Sequence, residues 1–294
     1  MGYFCSRDVI NSKNDAMKRI IAFLAVLVMC FSPLLLQGQT RRALVIGLGE
    51  QMDPAWGKIN GDKDVPYVTS MLQMCGYKDI TTLVNQQATK SGILSAFKAL
   101  TSKCRRGDIV YIHFSGHGQM VTDVSGDEAD GWDESWIPYD AYRKPCKRDR
   151  VEKHLIDDEV NTLLTGIANK VGVQGKILVV VDACHSGDSS REMDIDETVR
   201  GVFDKFEISE KKKPKGKPLK EKWLTLSACK SSQLNQELKK PKVGKLTYVL
   251  NTLVRQGTVS MQDVYRQMSQ KRSAIPQSPE LTGEVNYTVS DVLR

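Results

Sequence analysis

Blocks of hydrophobic and polar residues alternate along the chain and predict strands and helices in turn. Short apolar runs rich in β-branched residues predict strands at residues 43–48, 80–84, 108–114, 176–181 and 223–227. Apolar residues spaced three or four apart predict helices at residues 63–74, 91–100, 157–171, 246–254 and 261–268. Strands that alternate with helices are typical of an α/β fold, in which helices cover both faces of a mostly parallel sheet.

Two polar segments begin where two of these predicted strands end. Ser115-Gly116-His117-Gly118 follows the first strand, and Asp182-Ala183-Cys184 follows the second. In parallel sheets, ligands bind at the carboxyl ends of the strands. A cysteine nucleophile reacts as the thiolate and needs a nearby imidazole to accept and return a proton. We therefore expect His117 and Cys184 to meet at this edge of the sheet as proton-transfer partner and nucleophile.

In the catalytic interpretation, the amides of Gly118 and Cys184 are candidate donors to an oxyanion. Two other interpretations of these residues remain open. In the first, Cys184 is a small buried hydrophobe, as unpaired cysteines commonly are. Zinc binds nitrogen and sulfur ligands, and a zinc site would use His113, His117, Cys184 and His185. Because His113 lies inside a predicted strand, we expect it to be a core histidine with its hydrogen bonds satisfied.

The first 39 residues differ in character from the rest of the chain. Met17-Lys18-Arg19 precedes an apolar run from Ile20 to Leu36, which is typical of a bacterial signal peptide. We expect residues 1–16 to be an over-called start, cleavage to occur near Gly38, and the mature protein to be secreted or periplasmic. The alternative is an uncleaved membrane anchor, but this run falls short of the roughly 20 residues that span a bilayer. We therefore expect no stable membrane span after cleavage.

Composition favours a globular protein with no nucleic-acid partner. The 294 residues are 40% hydrophobic and 26% charged, which suits one domain with a sizeable core or at most two small ones. The net charge of +7 falls to +5 without residues 1–38, and residues 205–222 carry that whole excess with eight Lys and three Glu. Nucleic-acid binding needs a basic stripe on the folded body instead. Without Cys5 and Cys30 the chain keeps five of its seven cysteines, and this odd number leaves at least one thiol outside any disulfide.

Several segments resemble caspase-family peptidases, and metacaspases in particular. The paired motifs are His113-Phe114-Ser115-Gly116-His117-Gly118 and Asp182-Ala183-Cys184-His185-Ser186-Gly187, in the order and spacing of that family. The resemblance continues through residues 126–140, 156–159, 226–237 and 244–248. It implies a caspase-like three-layer α/β/α sandwich with a mostly parallel central sheet. It also implies a cysteine endopeptidase that forms a thioester, with Cys184 as nucleophile, His117 as general base and acid, and Gly118 as oxyanion donor.

The same resemblance implies an internal organisation and a substrate class. Residues 40–190 resemble a large-subunit catalytic region and residues 223–294 a small-subunit region of the same domain, with a lysine-rich processing loop at 191–222. Asp182 resembles an acid of a pocket for basic side chains, and a carboxylate there favours Lys or Arg at the cleaved position. The alternative for Asp182 is a hydrogen bond to a nearby amide. The other substrate-binding candidates are Asp64, which fits the family pattern better than Asp62, and Ser227.

Preference for basic residues would make the lysine-rich loop a substrate of the enzyme itself. The first candidates for self-processing are Lys211, Lys212, Lys220 and Lys222, with Arg191 and Arg200 behind them. The alternative is a solvated flexible linker.

An acidic stretch suggests a cation. Seven acids and no Lys or Arg lie between Gly118 and Tyr142, and hard cations bind such carboxylates, although a solvated acidic loop is the default. The resemblance implies an activating calcium ion held by Asp133, Asp157 and Asp158, whereas the chemistry itself requires no cofactor. We expect protein or peptide partners with Lys or Arg at the cleaved position, and favour a monomer. The rival interpretations are a clostripain- or gingipain-type peptidase and a catalytically silent caspase-like scaffold.

Overall fold

A computed structural model describes residues 38–123, 125–126, 128, 130–184, 199–202, 204–209, 221–230, 233–270 and 277–294. The predicted signal peptide up to residue 37 lies outside these residues, as do His185, Arg191, Lys211, Lys212 and Lys220. Residues 40–294 form one compact unit. Of the helices in the described ranges, none is both long enough and apolar enough to cross a bilayer.

The described residues contain twelve strands. They are β1 (Arg41–Gly47), β2 (Asp79–Val84), β3 (Ile109–Ser115), β4 (Gly118–Thr122), β5 (Trp132–Trp136), β6 (Leu155–Ile156), β7 (Lys176–Asp182), β8 (Val199–Arg200), β9 (Leu224–Ser227), β10 (Asn235–Leu238), β11 (Val243–Gly244) and β12 (Glu280–Thr282). Six of them form the central sheet in the order β12-β9-β7-β3-β1-β2. All neighbours in this sheet are parallel except β9 and β12.

Helices cover both faces of this sheet. They are α1 (Gly61–Met74), α2 (Lys90–Lys103), α3 (Asp157–Val171), α4 (Lys245–Arg255), α5 (Met261–Gln270) and α6 (Val289–Val292). Successive side chains of a strand point to opposite faces, so Tyr111 of β3 packs with α1, α4, α5 and α6, while Ile112 packs with α2 and α3. All seven residues of β3 are buried, as expected for a parallel strand covered on both sides. The predicted α/β sandwich with a mostly parallel sheet is confirmed.

Two small sheets that the sequence pattern did not predict complete the fold. One joins β4, β5 and β6, and the other joins β11, β10 and β8. Their strands have two to five residues, too short for a period to be recognised. In the second sheet β8 pairs antiparallel with β10, so that Arg200 lies opposite Asn235. These additions bring residues distant in sequence to the carboxyl end of the central sheet.

Candidate active site

The register of the central sheet places the two predicted catalytic residues after the ends of adjacent strands. β3 and β7 are adjacent and parallel, with Ser115 opposite Asp182. His117 and Cys184 each follow two residues after that pair, at the same edge of the sheet. Both are buried, with 2% and 1% of their surface exposed.

Two backbone groups fix the imidazole of His117. Its Nε2 donates to the carbonyl oxygen of Gly57 at 2.7 Å, and its Nδ1 accepts from the amide of Gly201 at 3.1 Å. Trp56 stacks on the ring with 5.2 Å between centroids. Because a carbonyl only accepts and an amide N–H only donates, these partners assign the proton to Nε2 and a lone pair to Nδ1. Burial lowers the pKa of His117 to about 4, so the ring is neutral at pH 7.

The thiol of Cys184 lies beside a second cysteine. Its Sγ donates to the carbonyl oxygen of Gln233 at 2.8 Å, and Sγ of Cys229 donates to the same oxygen at 3.3 Å. Hydrogen bonding to Cys184 and burial both raise the pKa of the Cys229 thiol. Cys229 is therefore a protonated neighbour rather than a thiolate. No disulfide joins the cysteines in the described ranges.

Gly201 lies against both His117 and Cys184. Its amide lies on His117, and a Cβ built on it would meet the carbonyl oxygen of Cys184 at 2.5 Å and Cβ of Cys184 at 3.0 Å. Its φ of +132° lies in the region that favours glycine. A side chain at this position is excluded both by the space and by the backbone conformation.

The residue before it, Arg200, fills a buried pocket of three carboxylates, called here the acidic pocket and formed by Asp64, Asp182 and Glu237. Nη1 of Arg200 donates to Oδ2 of Asp64 at 2.6 Å and to the backbone oxygen of Asp182 at 3.0 Å, and it lies 3.4 Å from Oδ1 of Asp182. Nε donates to Oε1 of Glu237 at 3.0 Å. The side chain of Arg200 is completely buried. The pocket thus binds a guanidinium from its own chain.

Neutral donors orient the two aspartates of the acidic pocket. Asp182 accepts from Asn235 Nδ2 at 2.7 Å, and from the hydroxyl and the amide of Thr247 at 2.6 and 2.8 Å. Although burial opposes it, the charge of Arg200 together with these bonds lowers the pKa of Asp182. Thr247 lies in the first turn of α4, where free amides favour an anion.

Asp64 is held in the same network. It accepts from the amide of Gly244 at 2.9 Å and from the hydroxyl of Ser115 at 2.8 Å. Ser115 in turn bonds His113, which also bonds Tyr111. His113 is thus a core histidine with both ring nitrogens partnered, and burial lowers its pKa to about 4.

The other predicted substrate and processing residues lie elsewhere. The Asp62 carboxylate lies against Gly49, outside the acidic pocket. Ser227 lines a cavity of about 240 Å³ together with Glu134, Glu221 and Glu280. Lys222 precedes β9, at the opposite edge of the sheet from Cys184. Gly118 begins β4 directly after His117.

The predicted calcium ligands are grouped at the start of α3. This α3 acid cluster consists of Asp133, Asp157 and Asp158, with Glu134 beside it. Burial and the charges of Asp133, Glu134 and Asp158 raise the pKa of Asp157 to about 8. Oδ1 of Asp157 is buried without a hydrogen-bond partner in the described part of the chain. An unsatisfied oxygen among like charges fits a hard cation, although no three His, Cys, Asp or Glu side chains of the described residues are arranged to hold a metal as they stand.

Sequence reasoning overlooked several residues of the site. Glu237, Asn235 and Thr247 shape the acidic pocket, and Gly57 orients His117. A backbone carbonyl such as that of Gly57 leaves no sequence signal. A signal did exist for Asp64, because it lies one turn before Val68 on the buried face of the predicted helix, whereas Asp62 does not.

Comparison with known proteins agrees with this geometry. Residues 41–192 match the family model described as "Metacaspase, peptidase C14 domain". The chain is 34% identical over 158 residues to Metacaspase-1B of Aspergillus fumigatus, an alignment that covers 50% of this chain and 35% of that relative. It is 31% identical over 155 residues to Metacaspase-2 of Arabidopsis thaliana, covering 50% and 34%. The matched region therefore spans about a third of the length of these curated relatives.

Solved structures show the same architecture. Protein GSU0716 from Geobacter sulfurreducens superposes with a TM-score of 0.61 and 25% identity, covering 83% of this chain and 92% of that one. Caspase-1 from Spodoptera frugiperda superposes with a TM-score of 0.56 and 12% identity, covering 85% and 88%. At that identity the second likeness shows the fold alone, and this fold is the expected caspase-like sandwich.

Proposed function

Because the chain belongs to the metacaspase family of C14 peptidase domains, we propose that it is a cysteine endopeptidase that cleaves proteins after Arg or Lys and also processes itself. The observation that carries the proposal is that Arg200 lies in the acidic pocket while the amide of the next residue, Gly201, donates to His117. Cys184 is the nucleophile and His117 the general base and acid. Substrates are protein or peptide segments with a basic side chain for the pocket.

The segment around Arg200 is bound as a substrate would be. β8 adds to β10 as an antiparallel strand, a common way of holding an extended peptide. The basic side chain enters the acidic pocket, and the following residue contacts both His117 and Cys184. These contacts favour the Arg200–Gly201 bond as the site of self-processing, ahead of the lysines considered first.

The chemistry follows from the same contacts. Cys184 transfers its thiol proton to His117, and the sulfur attacks the carbonyl carbon of Arg200 while the electron pair of that C=O bond moves to oxygen. The amides of Gly118 and Cys184 donate to this oxyanion. Collapse breaks the C–N bond, and His117 returns its proton to the amine of Gly201, whose nitrogen already lies 3.1 Å from Nδ1. Water then hydrolyses the thioester, with His117 again as the base.

Calcium activation is part of the proposal. Asp133, Asp157 and Asp158 would hold the ion, which supplies positive charge to a cluster with an unsatisfied oxygen. It takes no part in the bond cleavage itself.

Mass spectrometry of the full chain, incubated with calcium, tests this function. We expect a new N-terminus at Gly201 in the wild-type protein, and no cleavage at this bond in Cys184→Ala, His117→Ala or Arg200→Ala. The same fragment from the Cys184→Ala protein would contradict self-processing. A wild-type protein that cleaves neither itself nor Arg and Lys peptides would favour the silent scaffold.

A further inference from the structure

Glu237 contacts a part of Arg200 that a lysine side chain lacks. Its Oε1 accepts from Nε at 3.0 Å, whereas Asp64 accepts from the terminal nitrogen Nη1 at 2.6 Å. Lysine carries a single ammonium group at its tip and no donor along its stem. A lysine in the acidic pocket would keep its charge near the two aspartates and lose the bond to Glu237.

Glu237 is also fixed independently of the ligand. The backbone amide of Asn60 donates to Oε1 at 2.6 Å, and Nδ2 of Asn60 donates to Oε2. Asn60 directly precedes α1, the helix that carries Asp64. The side chain of Glu237 is 2% exposed and held by these bonds, so water has little access to replace a lost bond.

We propose that Glu237 is a specificity-determining residue that makes this site prefer Arg over Lys at the cleaved position. The proposal rests on the peptidase function proposed above and narrows its substrate class. Its physical basis is that a lysine would leave Glu237 with its two bonds from Asn60 but without the charge-assisted bond from Nε that only arginine supplies.

Two reporter peptides that differ only in Arg or Lys at the cleaved position test the proposal on the self-processed full chain. We expect kcat/KM of the wild-type enzyme to favour Arg roughly tenfold or more, because a charge-assisted bond is present only with Arg. In Glu237→Gln the ratio should fall to about threefold or less, through a lower rate on Arg and a nearly unchanged rate on Lys. Glu50→Gln, whose carboxylate pairs with exposed Lys58, is the matched control and should keep the wild-type ratio.

A second variant and a second readout guard against a misfolded protein. Asn60→Ala frees one oxygen of Glu237 and keeps its charge, so an intermediate ratio is expected. Self-cleavage should slow in Arg200→Lys, and it should slow by less when Glu237 has already been replaced by Gln.

An active Glu237→Gln enzyme with the wild-type ratio would overturn the role of Glu237, and so would a wild-type enzyme with equal rates on the Arg and Lys peptides. If Glu237→Gln does not fold, an unchanged ratio in Asn60→Ala overturns it. Hydrolysis of neither peptide by the wild-type enzyme would overturn the peptidase function, and this inference with it.

Discussion

The protein contains two buried groups of carboxylates that differ in how their charge is compensated. In the acidic pocket, Arg200 bonds Asp64 and Glu237 and lies 3.4 Å from Asp182. In the α3 acid cluster, like charges surround Asp157, and one of its buried oxygens has no hydrogen-bond partner among the described residues. In the acidic pocket the pKa of Asp182 is lowered, although burial raises the pKa of Asp64 beside it, whereas the pKa of Asp157 is raised to about 8.

The difference is between carboxylates whose charge is compensated within the chain and carboxylates whose charge is not. Buried charge is tolerated where a countercharge and hydrogen bonds replace water, and otherwise the group takes up a proton. The acidic pocket has fixed donors from Asn235, Thr247 and Gly244, so groups of the chain itself hold its carboxylates in place. In the α3 acid cluster, by contrast, no hydrogen-bond donor among the described residues reaches the buried Oδ1 of Asp157. The charge of the acidic pocket is therefore compensated within the chain, whereas the α3 acid cluster is suited to the calcium ion proposed above.

Removal of the cation from the acidic pocket should have the largest effect. In a Cys184→Ala background, which prevents self-cleavage, Arg200→Ala should lower the free energy of unfolding by about 3 kcal/mol, because it leaves three buried carboxylates without their countercharge. Urea unfolding measures this. Arg266→Ala removes an exposed ion pair and should change stability by less than about 0.5 kcal/mol. Equal stability of the Arg200→Ala protein and its parent would mean that Arg200 is not needed to compensate the charges of the three carboxylates.

A methyl group on Gly201 should displace the Arg200–Gly201 bond from His117 and Cys184. Gly201→Ala would place Cβ 2.5 Å from the carbonyl oxygen of Cys184 and disfavour the backbone φ of +132°, so the Arg200–Gly201 bond would leave its position. We expect self-cleavage to slow by about tenfold or more, which corresponds to about 1.4 kcal/mol of misplacement. The measurement is the appearance of the Gly201 fragment with time. Gly166→Ala in α3, where Cβ meets only a methyl of Thr101 at 3.9 Å, should cleave at the wild-type rate.

How far the sequence predicts this molecule depends on the range of each interaction. Five strands of the central sheet and the five longer helices follow from local periodicity, and the strand-end argument brings His117 and Cys184 to one edge. The small sheets lack such periodicity because their strands are short. Arg200 and Asp64 are 136 positions apart and Arg200 and Glu237 are 37 apart, so no local pattern connects them. Their meeting depends on the pairing of β8 with β10, which only the folded chain supplies.

A neutral side chain in the α3 acid cluster should stabilise the protein. Asp157→Asn removes a carboxyl group whose ionisation is opposed by burial and by neighbouring acids. Without calcium at pH 7, we expect the free energy of unfolding to rise by about 1 kcal/mol. Added calcium should raise the melting temperature of the Cys184→Ala protein and should do so much less in Cys184→Ala/Asp157→Asn. Equal calcium shifts in the two proteins would exclude Asp157 as a ligand.

Asp157 and the two buried histidines should change the free energy of unfolding in opposite directions as pH rises. Asp157 has its pKa raised to about 8 in the folded protein, so its contribution is present at low pH and is lost as pH rises toward 8. His113, next to the acidic pocket, and His117 have pKa values lowered to about 4, so their contributions are present above pH 6.5 and are lost as pH falls. Between pH 5.5 and 7.5 without calcium, these slopes should largely cancel in the Cys184→Ala protein.

In the Asp157→Asn variant, the effect of pH on the free energy of unfolding should come mainly from His113 and His117. Urea unfolding at pH 5.5 and 7.5 should then show stability rising by about 1 kcal/mol for each buried histidine, because a shift of one pKa unit corresponds to about 1.4 kcal/mol. The rise should be smaller when His113 is also replaced by Gln, since that side chain does not titrate. A stability that still falls with pH in Asp157→Asn would show that another buried carboxyl group has a raised pKa, either Asp64 of the acidic pocket, whose pKa burial raises, or a further acid of the α3 acid cluster.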